Sequence, residues 1–287
     1  MKKLVKIAAN FIALAVTVAA TLGLSACEDI KTLELSLSLY DNSASEFYAV
    51  DDVKFTVDLY RHLAPKTVDK VLERINNDFY NGAIFYEENG MIMLGDYKFE
   101  GGELKQNLIE NKLPSEIYGE FKAGGTTGSN LLVEKGSVGL WRSYYATDNS
   151  YKTSDNARNS GRATWFIPTS ANTSYDDYFC VFAKYDTEDA ANAKAISAIS
   201  AIFNNADYYT QYVVYFTGTY DSAKADENYG LSFHALTKAD FDALEEEPEV
   251  FEAKGQQLVS FNKKTIKVPN IVKDNKISAQ VNSIAQK

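Results

Sequence analysis

Two segments near the start of the chain alternate between apolar and polar residues, and this pattern constrains the fold more than any other feature. They are TLELSLSLY (32–40) and VKFTVDLY (53–60). A period of two residues is typical of strands that have one buried face and one solvated face. The connection between them is rich in turn-forming residues, which predicts that the two strands are antiparallel neighbours.

The chain then changes to a helical period. Apolar residues recur at helical spacing at Val68, Val71, Leu72, Ile75 and Phe79. Pro65 stands at the start of this segment and Gly82 follows its end, as is typical of helix termini. A second helix, rich in alanine, is predicted at 187–203. The apolar face of each helix needs a partner, and the simplest partner is a sheet.

Short apolar segments separated by glycine-rich loops predict the remaining strands. These segments lie at 84–86, 91–94, 131–133, 137–141, 163–168 and 179–185. Many short strands with two helices at separated positions predict a mainly β fold, a closed antiparallel β-barrel capped by the two helices. Hydrophobic residues make up 45% of the 287 residues, which is enough to fill such a core.

The C-terminal part of the chain is predicted to be an insertion followed by the end of the barrel. The insertion spans 205–257 and contains YYTQYVVYFTGTY (208–220), which predicts an additional strand. The final barrel strand is expected within 258–272, where TIKVPNIV carries strand-forming residues. The last residues, 273–287, are largely polar and are predicted to form a frayed or helical tail.

The N-terminus has the pattern of a secretory leader. MKKLVK is basic, an apolar stretch follows, and LSAC (24–27) places small residues before a cysteine. A polar, acidic segment comes next, which predicts a cleaved signal peptide at 1–26 rather than a spanning helix. The leader resembles those of bacterial lipoproteins, which implies a lipid on Cys27 and a tether to the bacterial cell membrane outside the cytoplasm. An ordinary signal peptide with a chance cysteine is the alternative.

Charge and residue usage argue against several other classes of function. The formal charge is −10, and without the three leader lysines 26 basic residues face 39 acidic ones, or −13, which disfavours nucleic-acid binding. The two histidines, His62 and His234, are far apart in sequence, so no metal site and no Ser-His-Asp triad is predicted. Cys180 lies among strand-like apolar residues, which predicts a buried, inert thiol; with Cys27 lipidated it has no disulfide partner.

Seven blocks of sequence carry a family resemblance. The blocks are VDLYRHLAPKTVDKV (57–71), FYNGAIFY (79–86), MIMLGD (91–96), GEF (119–121), KGSVGLWR (135–142), NSGRATWFI (159–167) and YDDYFCVFAKY (175–185). In this order and spacing they resemble the cyclophilins, the barrel-fold peptidyl-prolyl cis-trans isomerases. The resemblance covers roughly residues 32–203, so a cyclophilin-like barrel is expected to occupy 27–204.

The resemblance implies an activity and its chemistry. Cyclophilins rotate the peptide bond that precedes proline, which has a barrier of about 18–20 kcal/mol. In the family an apolar pocket holds the proline ring and an arginine donates toward the imide nitrogen, so the donor acts mainly on the twisted state. No cofactor is needed. The expected partners are proline-containing or extended segments of exported proteins.

The residue at the position of the catalytic arginine departs from the family pattern. In the family His-Arg follows the block FYNG-x-x-F, whereas Tyr86 and Glu87 follow it here, and two residues are missing between Phe85 and Asp96. A carboxylate at neutral pH only accepts hydrogen bonds, so Glu87 cannot supply what the arginine supplies. Loss of one such donor costs about 10²–10³ in rate, so little or no isomerase activity is expected.

Other groove positions are changed as well. The two glutamines of the family correspond to Met93 and Thr164, its pocket histidine to Phe179 and its pocket tryptophan to the region of Tyr175, while Phe166 keeps the pocket phenylalanine. The expected peptide-binding groove comprises Phe85, Met93, Trp141, Arg142, Thr164, Phe166, Tyr175 and Phe179.

Trp141 and Arg142 allow two interpretations. In the first, Trp141 rebuilds an aromatic wall and Arg142 reaches toward a bound peptide as a substitute donor. In the second, Trp141 is packed and Arg142 forms an ion pair with Glu87 or Glu88. The sequence leaves both interpretations open.

Two functions correspond to these interpretations. The first is a cyclophilin-type lipoprotein that acts on or binds proline-containing segments, with weak or lost catalysis. The second is a non-catalytic interaction module that uses 205–257 as its partner surface. An arginine directed into the groove beside Phe166 favours the first function, and a groove filled by Trp141 and Tyr175 favours the second. The candidate arginines are Arg142, Arg158 and Arg162.

Overall fold

A computed structural model describes most of the chain after residue 30. The described residues are 31–41, 44, 46–107, 119–122, 131–142, 161–217, 232–244, 252–253, 256–257, 263–270 and 279–287. The helices within them are α1 (Pro65–Asn76), α2 (Ala190–Asn204) and α3 (Lys238–Asp242). The strands are β1 (Thr32–Asp41), β2 (Glu46–Leu59), β3 (Ala83–Glu88), β4 (Met91–Glu100), β5 (Glu103–Gln106), β6 (Ser137–Arg142), β7 (Gly161–Pro168), β8 (Cys180–Lys184), β9 (Tyr209–Thr217), β10 (Ser232–Thr237), β11 (Glu252–Ala253), β12 (Gln256–Gln257), β13 (Lys264–Pro269) and β14 (Ala279–Gln286).

Eight of these strands close into an antiparallel barrel. Their order around the barrel is β3, β14, β1, β2, β8, β6, β7 and β4, and β4 pairs with β3 to complete the ring. The predicted neighbours β1 and β2 are paired, with Leu35 opposite Phe55. The mainly β, closed-barrel fold predicted from the sequence is therefore confirmed.

The barrel wall has two apolar faces because successive residues of a strand point to opposite sides. The inner face belongs to a large cluster that includes Leu35 and Phe85, both fully buried. The outer face of β3, β4 and β7 belongs to a second cluster that includes Tyr86 and Phe166, also fully buried. An isolated barrel of this kind would expose the outer cluster, so other parts of the chain must cover it.

The two long helices add their apolar faces to the inner cluster. Val68 and Val71 of α1 and Ile199 of α2 are all buried there. Helix α2 begins at Ala190, slightly later than predicted, because the Asp189 carboxylate accepts a hydrogen bond of 2.8 Å from the Asn192 backbone N–H and caps the first turn. The two helices predicted from apolar spacing are both present.

Three strands outside the barrel form a second antiparallel layer, named here the side sheet, in the order β13, β9 and β10. Strand β9 lies within the predicted additional strand at 208–220. Strand β13 joins the side sheet to the barrel, since Lys267 is paired with Glu87 of β3. The same edge of β3 pairs with β14 at Ile84, so two strands divide one edge between them.

The last barrel strand lies later in the chain than predicted. The sequence favours 258–272 for this strand and a polar tail at 273–287, whereas β13 belongs to the side sheet and β14 lies between β1 and β3. The pairing of β14 with β1 shifts register beside Ser36, so the polar and apolar residues of β14 do not alternate regularly. Without regular alternation, a mostly polar strand resembles a tail.

One shorter predicted strand is also absent. Residues 131–133 are irregular and are held by side-chain and loop contacts rather than by a strand ladder. The Val133 backbone N–H donates to Asp176 Oδ1 at 2.8 Å, and its carbonyl accepts from the Asn172 N–H at 2.8 Å. An apolar triplet of this length does not distinguish a strand from a buried loop.

Candidate functional site

One row of outward-facing residues crosses four neighbouring strands of the barrel. Tyr86 of β3 is opposite Met93 of β4, Met93 is opposite Phe166 of β7, and Phe166 is opposite Gly139 of β6. The row therefore brings together Met93 and Phe166, which the resemblance places in the groove, with Tyr86, which it does not. Sequence spacing alone does not show that they share one face.

Gly139 leaves the space in which the Phe166 ring lies. A Cβ atom at Gly139 would stand 2.2 Å from Phe166 Cζ and 2.3 Å from its Cε1, far inside van der Waals contact. The end of the ring thus lies against the backbone of β6, and this close approach requires glycine. The position of the pocket phenylalanine depends on a residue of the next strand.

Aromatic side chains cover Phe166 from the other side. The rings of Trp141 and Phe179 are stacked with centroids 5.0 Å apart, and the Phe166 centroid lies 5.9 Å from Trp141 and 5.4 Å from Phe179. Tyr175 packs against both covering rings, with centroids 6.1 Å from Trp141 and 4.6 Å from Phe179. Phe166 has no exposed surface, whereas Trp141 and Tyr175 are half-buried.

Arg142 lies beneath this aromatic cluster and not above it. The residue is 2% exposed, and its guanidinium carbon is 4.5 Å from the centroid of Phe121 and 5.2 Å from that of Phe179. A guanidinium over aromatic faces is stabilised by cation–π attraction. In this position Arg142 is separated from solvent by the rings and does not face a peptide at the surface.

Glu87, which the sequence aligns with the family's arginine, and its neighbour Glu88 bind two lysines of the side sheet. A Glu87 carboxylate oxygen lies 2.9 Å from Lys267 Nζ, and a Glu88 oxygen lies 2.8 Å from Lys264 Nζ. Glu87 also accepts a hydrogen bond of 2.6 Å from the Gly90 backbone N–H. The interpretation that paired Arg142 with one of these glutamates is therefore wrong, because Lys264 and Lys267 take that role.

Lys264 is the most enclosed of these cations. Its Nζ lies 5.7 Å from the Tyr86 ring centroid and 5.8 Å from that of Tyr97. Burial alone disfavours the ammonium form, but Tyr97, Glu88 and Asp96 outweigh it and hold the pKa of Lys264 above its ordinary value. The lysine is consequently charged at any physiological pH and forms a permanent ion pair.

A short polar network lies beside the row, at the position of a family glutamine. Thr164 Oγ1 donates to Asp96 Oδ1 at 2.5 Å, and the Tyr86 hydroxyl donates to Asp96 Oδ2 at 3.2 Å. Burial and the neighbouring Asp96 carboxylate raise the pKa of Tyr86 well above its ordinary range. Both hydroxyls are therefore directed to Asp96 and not to solvent. A glutamine amide in the place of Thr164 would instead donate to a peptide.

The structure brings together all but one of the predicted groove residues. Those on or directly beneath the outer face are Met93, Trp141, Arg142, Thr164, Phe166, Tyr175 and Phe179. Phe85 lies in the inner cluster, because it is the strand neighbour of the outward-facing Tyr86. The sequence reasoning also missed Lys264 and Lys267, for which no motif exists, since they lie far along the chain in the appended strand.

The described residues contain no group of three or more His, Cys, Asp or Glu side chains arranged to hold a metal ion. Tyr215 and His234 stack on each other in the side sheet with ring centroids 4.9 Å apart. His62 is exposed in the turn before α1. The two histidines are thus in unrelated surroundings.

The fold and the site residues define the class of protein. The family model "Cyclophilin type peptidyl-prolyl cis-trans isomerase/CLD" matches residues 47–202, more than half of the chain, and the chain therefore belongs to the cyclophilin family. A search of curated proteins found no match.

Solved structures of a cyclophilin-type peptidyl-prolyl cis-trans isomerase from Cryptosporidium parvum are similar to this chain. One, determined in the presence of the dipeptide Ala-Pro, is 14% identical, has a TM-score of 0.35, and covers 58% of this chain and 85% of its own. The other is 16% identical, has a TM-score of 0.33, and covers 59% and 83%.

The predicted leader and Cys27 lie outside the described residues, as do the side chains of Arg158 and Arg162. Of the three candidate substitute donors, Arg142 is the one whose side chain is described. Within the described part of the chain, none of the helices combines the length and the apolar character needed to cross a bilayer.

Proposed function

We propose that this chain is a non-catalytic cyclophilin, a lipid-tethered interaction module that binds extended polypeptide segments of exported proteins without isomerising them. The observation that carries the proposal is the outward-facing row, in which Tyr86 is opposite Met93 and Met93 is opposite Phe166, so these three positions place no cation beside Phe166. Glu87, which the sequence aligns with the family's catalytic arginine, is held by Lys267 at 2.9 Å on the opposite side of β3. An anion held by a lysine of the same chain cannot donate to an imide nitrogen.

The covered proline pocket supports the same proposal. Phe166 is fully buried under Trp141 and Phe179, so a proline ring cannot contact it unless these side chains move. Catalysis requires interactions that strengthen in the twisted state, and both the donor and the pocket that would supply them are replaced. Removal of one such donor lowers the rate about 10²–10³-fold, and the combined loss of donor and pocket is larger.

Half-buried aromatic residues offer a surface for polypeptide binding. Trp141, Tyr175 and Tyr178 are all partly exposed around the covered pocket. Aromatic rings of this kind supply large contact area at low cost in conformational entropy. Proline-containing segments are included among the proposed partners because proline rings pack well on aromatic faces.

An isomerisation assay tests the loss of catalysis. The protein without residues 1–27 is mixed with a proline-containing tetrapeptide, and the approach to cis-trans equilibrium is followed with an active cyclophilin as positive control. We expect the uncatalysed rate. A rate within tenfold of the active cyclophilin would overturn the proposal.

A second variant separates the two causes of the loss. Glu87→Arg restores the charge of the family donor but places it opposite Lys267 and leaves Phe166 covered. We expect this variant to remain inactive in the same assay. Restored catalysis would show that the pocket is accessible and that the missing donor alone had abolished activity.

Binding is tested by titration of extended, proline-containing peptides while Trp141 fluorescence is recorded. We expect saturable binding that Tyr175→Ala weakens about tenfold and that Tyr60→Ala, a change of a half-buried tyrosine outside the aromatic cluster, leaves unchanged. Equal affinities for both variants, or no binding at all, would contradict the assignment of this surface.

The tether rests on the leader sequence and has its own test. In cells, Cys27→Ser is expected to remove incorporated fatty acid and to move the protein from the detergent-rich to the aqueous phase of a detergent partition. Cys180→Ser, which changes the buried cysteine, serves as the control and is expected to leave partition unchanged.

A further inference from the structure

The side sheet lies against the outer face of the barrel at the Tyr86 end of the row. Val214 of β9 and Ile266 and Val268 of β13 are fully buried and belong to the same cluster as Tyr86. This cluster lies on the face opposite to the barrel core. Residues from 205 onward, which lie beyond the family match, therefore bury residues on the active face of the barrel.

Aromatic contacts extend the cover along β4. The Tyr97 ring centroid lies 5.7 Å from Phe233 of β10, and the Phe99 centroid lies 6.4 Å from Tyr212 of β9. Tyr97 in turn packs edge-on against Tyr86 at 4.8 Å. These pairs join the side sheet to the row by large apolar surfaces, each worth more than a surface ion pair.

Among the described residues, backbone pairing between the side sheet and the barrel is limited to one position. Strand β13 meets β3 at Lys267 and Glu87, whereas its pairing with β9 runs along the whole of β13. Side chains rather than a continuous hydrogen-bond ladder therefore hold the side sheet on β3. The side-chain contacts with charge are the Glu87–Lys267 and Glu88–Lys264 pairs.

The Glu88–Lys264 ion pair is nearly removed from water. The Glu88 side chain is 8% exposed and that of Lys264 is 18% exposed. Breaking a buried pair leaves an uncompensated charge in a poorly solvated place, which is far more costly than loss of an exposed pair. Reversal of the lysine charges thus opposes docking of the side sheet on β3.

We propose that the side sheet is an intramolecular cover of the cyclophilin active face, in which β13 occupies the place of an external chain beside Tyr86 and the acidic pair Glu87 and Glu88 is its docking site. The proposal goes beyond the loss of catalysis, because it assigns a binding role to the residues that replaced the donor. A strand that adds to a sheet edge with side-chain anchors is the usual geometry of peptide capture by β-sheets.

Amide hydrogen exchange on a charge-reversal variant tests the cover. In Lys264→Glu/Lys267→Glu, four carboxylates meet at the docking site, and we expect the amides of β9 and β13 to exchange at least tenfold faster. Amides of β1, β2 and α1 are expected to keep their rates. An apolar dye that fluoresces on exposed hydrophobic surface is expected to bind this variant and not the parent protein.

The matched control is Lys135→Glu/Lys194→Glu, which changes the net charge equally at two exposed positions, one before β6 and one on α2. It is expected to change neither exchange in the side sheet nor dye binding. If charge reversal prevents folding, Glu87→Gln removes one ion pair while keeping side-chain shape, and a threefold faster exchange confined to β9 and β13 is expected.

Unchanged exchange in β9 and β13, or acceleration that is equal in β1 and β2, would overturn the cover. The first result would mean that the ion pairs do not hold the side sheet, and the second that the side sheet is an inseparable part of the barrel. An isomerase rate of the parent protein bears on the proposed function alone and does not enter this test.

Discussion

At the scale of single residues, Glu87 and Glu88 determine what the end of β3 can bind. An arginine offers donors to a peptide, whereas two carboxylates offer acceptors that need cations. Lys267 and Lys264 of β13 satisfy them at 2.9 and 2.8 Å. The two carboxylates therefore attach another element of the chain to the end of β3.

Gly139 has the strictest steric requirement along the row. Gly139→Ala places a Cβ atom 2.2–2.3 Å from the Phe166 ring, so the ring or β6 has to move. Overpacking of this kind costs about 1–3 kcal/mol of folding free energy. Chemical denaturation is expected to show this loss, and near-UV circular dichroism to show a changed environment of Trp141.

A double-mutant cycle tests whether the clash with Phe166 is the cause. Phe166→Leu removes the ring atoms that the new Cβ meets, so Gly139→Ala/Phe166→Leu is expected to lose less stability than the sum of the two single changes. Strictly additive losses of stability would mean that the clash with Phe166 does not cause the destabilisation.

Cys180 is expected to be inert in the folded protein. Burial raises the pKa of its thiol to about 12, although a hydrogen bond with Thr67 Oγ1 at 3.4 Å lowers it in part. Only the thiolate reacts, so at pH 8 a fraction of about 10⁻⁴ is reactive and the rate rises tenfold for each pH unit. In the protein without residues 1–27, a thiol reagent is expected to modify Cys180 only as fast as the protein unfolds.

The control for this prediction is an exposed cysteine. Lys194→Cys on α2 places a thiol in water and is expected to react within seconds to minutes at pH 8. Equal rates for Cys180 and the introduced cysteine would contradict the burial of Cys180.

At the scale of elements, helix α1 is capped by a residue far away in sequence. Its N-cap residue, Ala64, has no side-chain acceptor. Instead Glu120, which is 4% exposed, accepts from the Lys66 backbone N–H at 3.0 Å and from that of Thr67 at 2.8 Å. A carboxylate at this end also interacts favourably with the helix dipole. The GEF block thus joins a loop to the helix that closes the core.

Glu120→Gln is expected to destabilise the protein by about 1–2 kcal/mol. The amide keeps one acceptor oxygen but directs an NH₂ group at a backbone N–H, so one buried hydrogen bond and the charge are lost. Thermal unfolding measures the loss. Glu73→Gln, an exposed change on the same helix, is expected to have little effect, and equal shifts for both variants would count against capping by Glu120.

At the scale of the whole molecule, β14 closes the barrel. Its Val281 is fully buried, and the Val281 carbonyl accepts a hydrogen bond of 2.9 Å from the Gly82 N–H at the start of β3. The Lys287 N–H donates to the Thr32 carbonyl at 2.8 Å, so the strand is held along its length beside β1. Residues from both termini of the described chain therefore meet at one seam.

Two aspartate substitutions in β14 test whether this segment is a packed barrel strand or a solvated tail. Val281→Asp buries an unpaired carboxylate and is expected to lose more than about 3 kcal/mol or to prevent folding. Ala285→Asp changes an exposed residue of the same strand and is expected to stay within about 0.5 kcal/mol. Unfolding curves that are alike for both would indicate that 279–287 does not pack.

Much of the barrel follows from local patterns. The alternation at β1 and β2 and the helical spacing of Val68 and Val71 report burial directly, because a strand or helix with one apolar face must turn that face to a core. The groove residues Met93, Phe166 and Phe179 could be named from family resemblance, and they do meet. The assignment of Phe85 to the groove was wrong, because neighbouring residues of a strand point to opposite faces of the sheet.

The sequence by itself determined the mainly β barrel and its two long helices, because these depend on periodicity and on residue type. The tertiary structure alone decided that β14 closes the ring, that Lys264 and Lys267 bind the acidic pair, and that the side sheet covers the outer face. Main-chain pairing and ion pairs between distant segments leave no periodic mark in a sequence, since they depend on which segments the fold brings together.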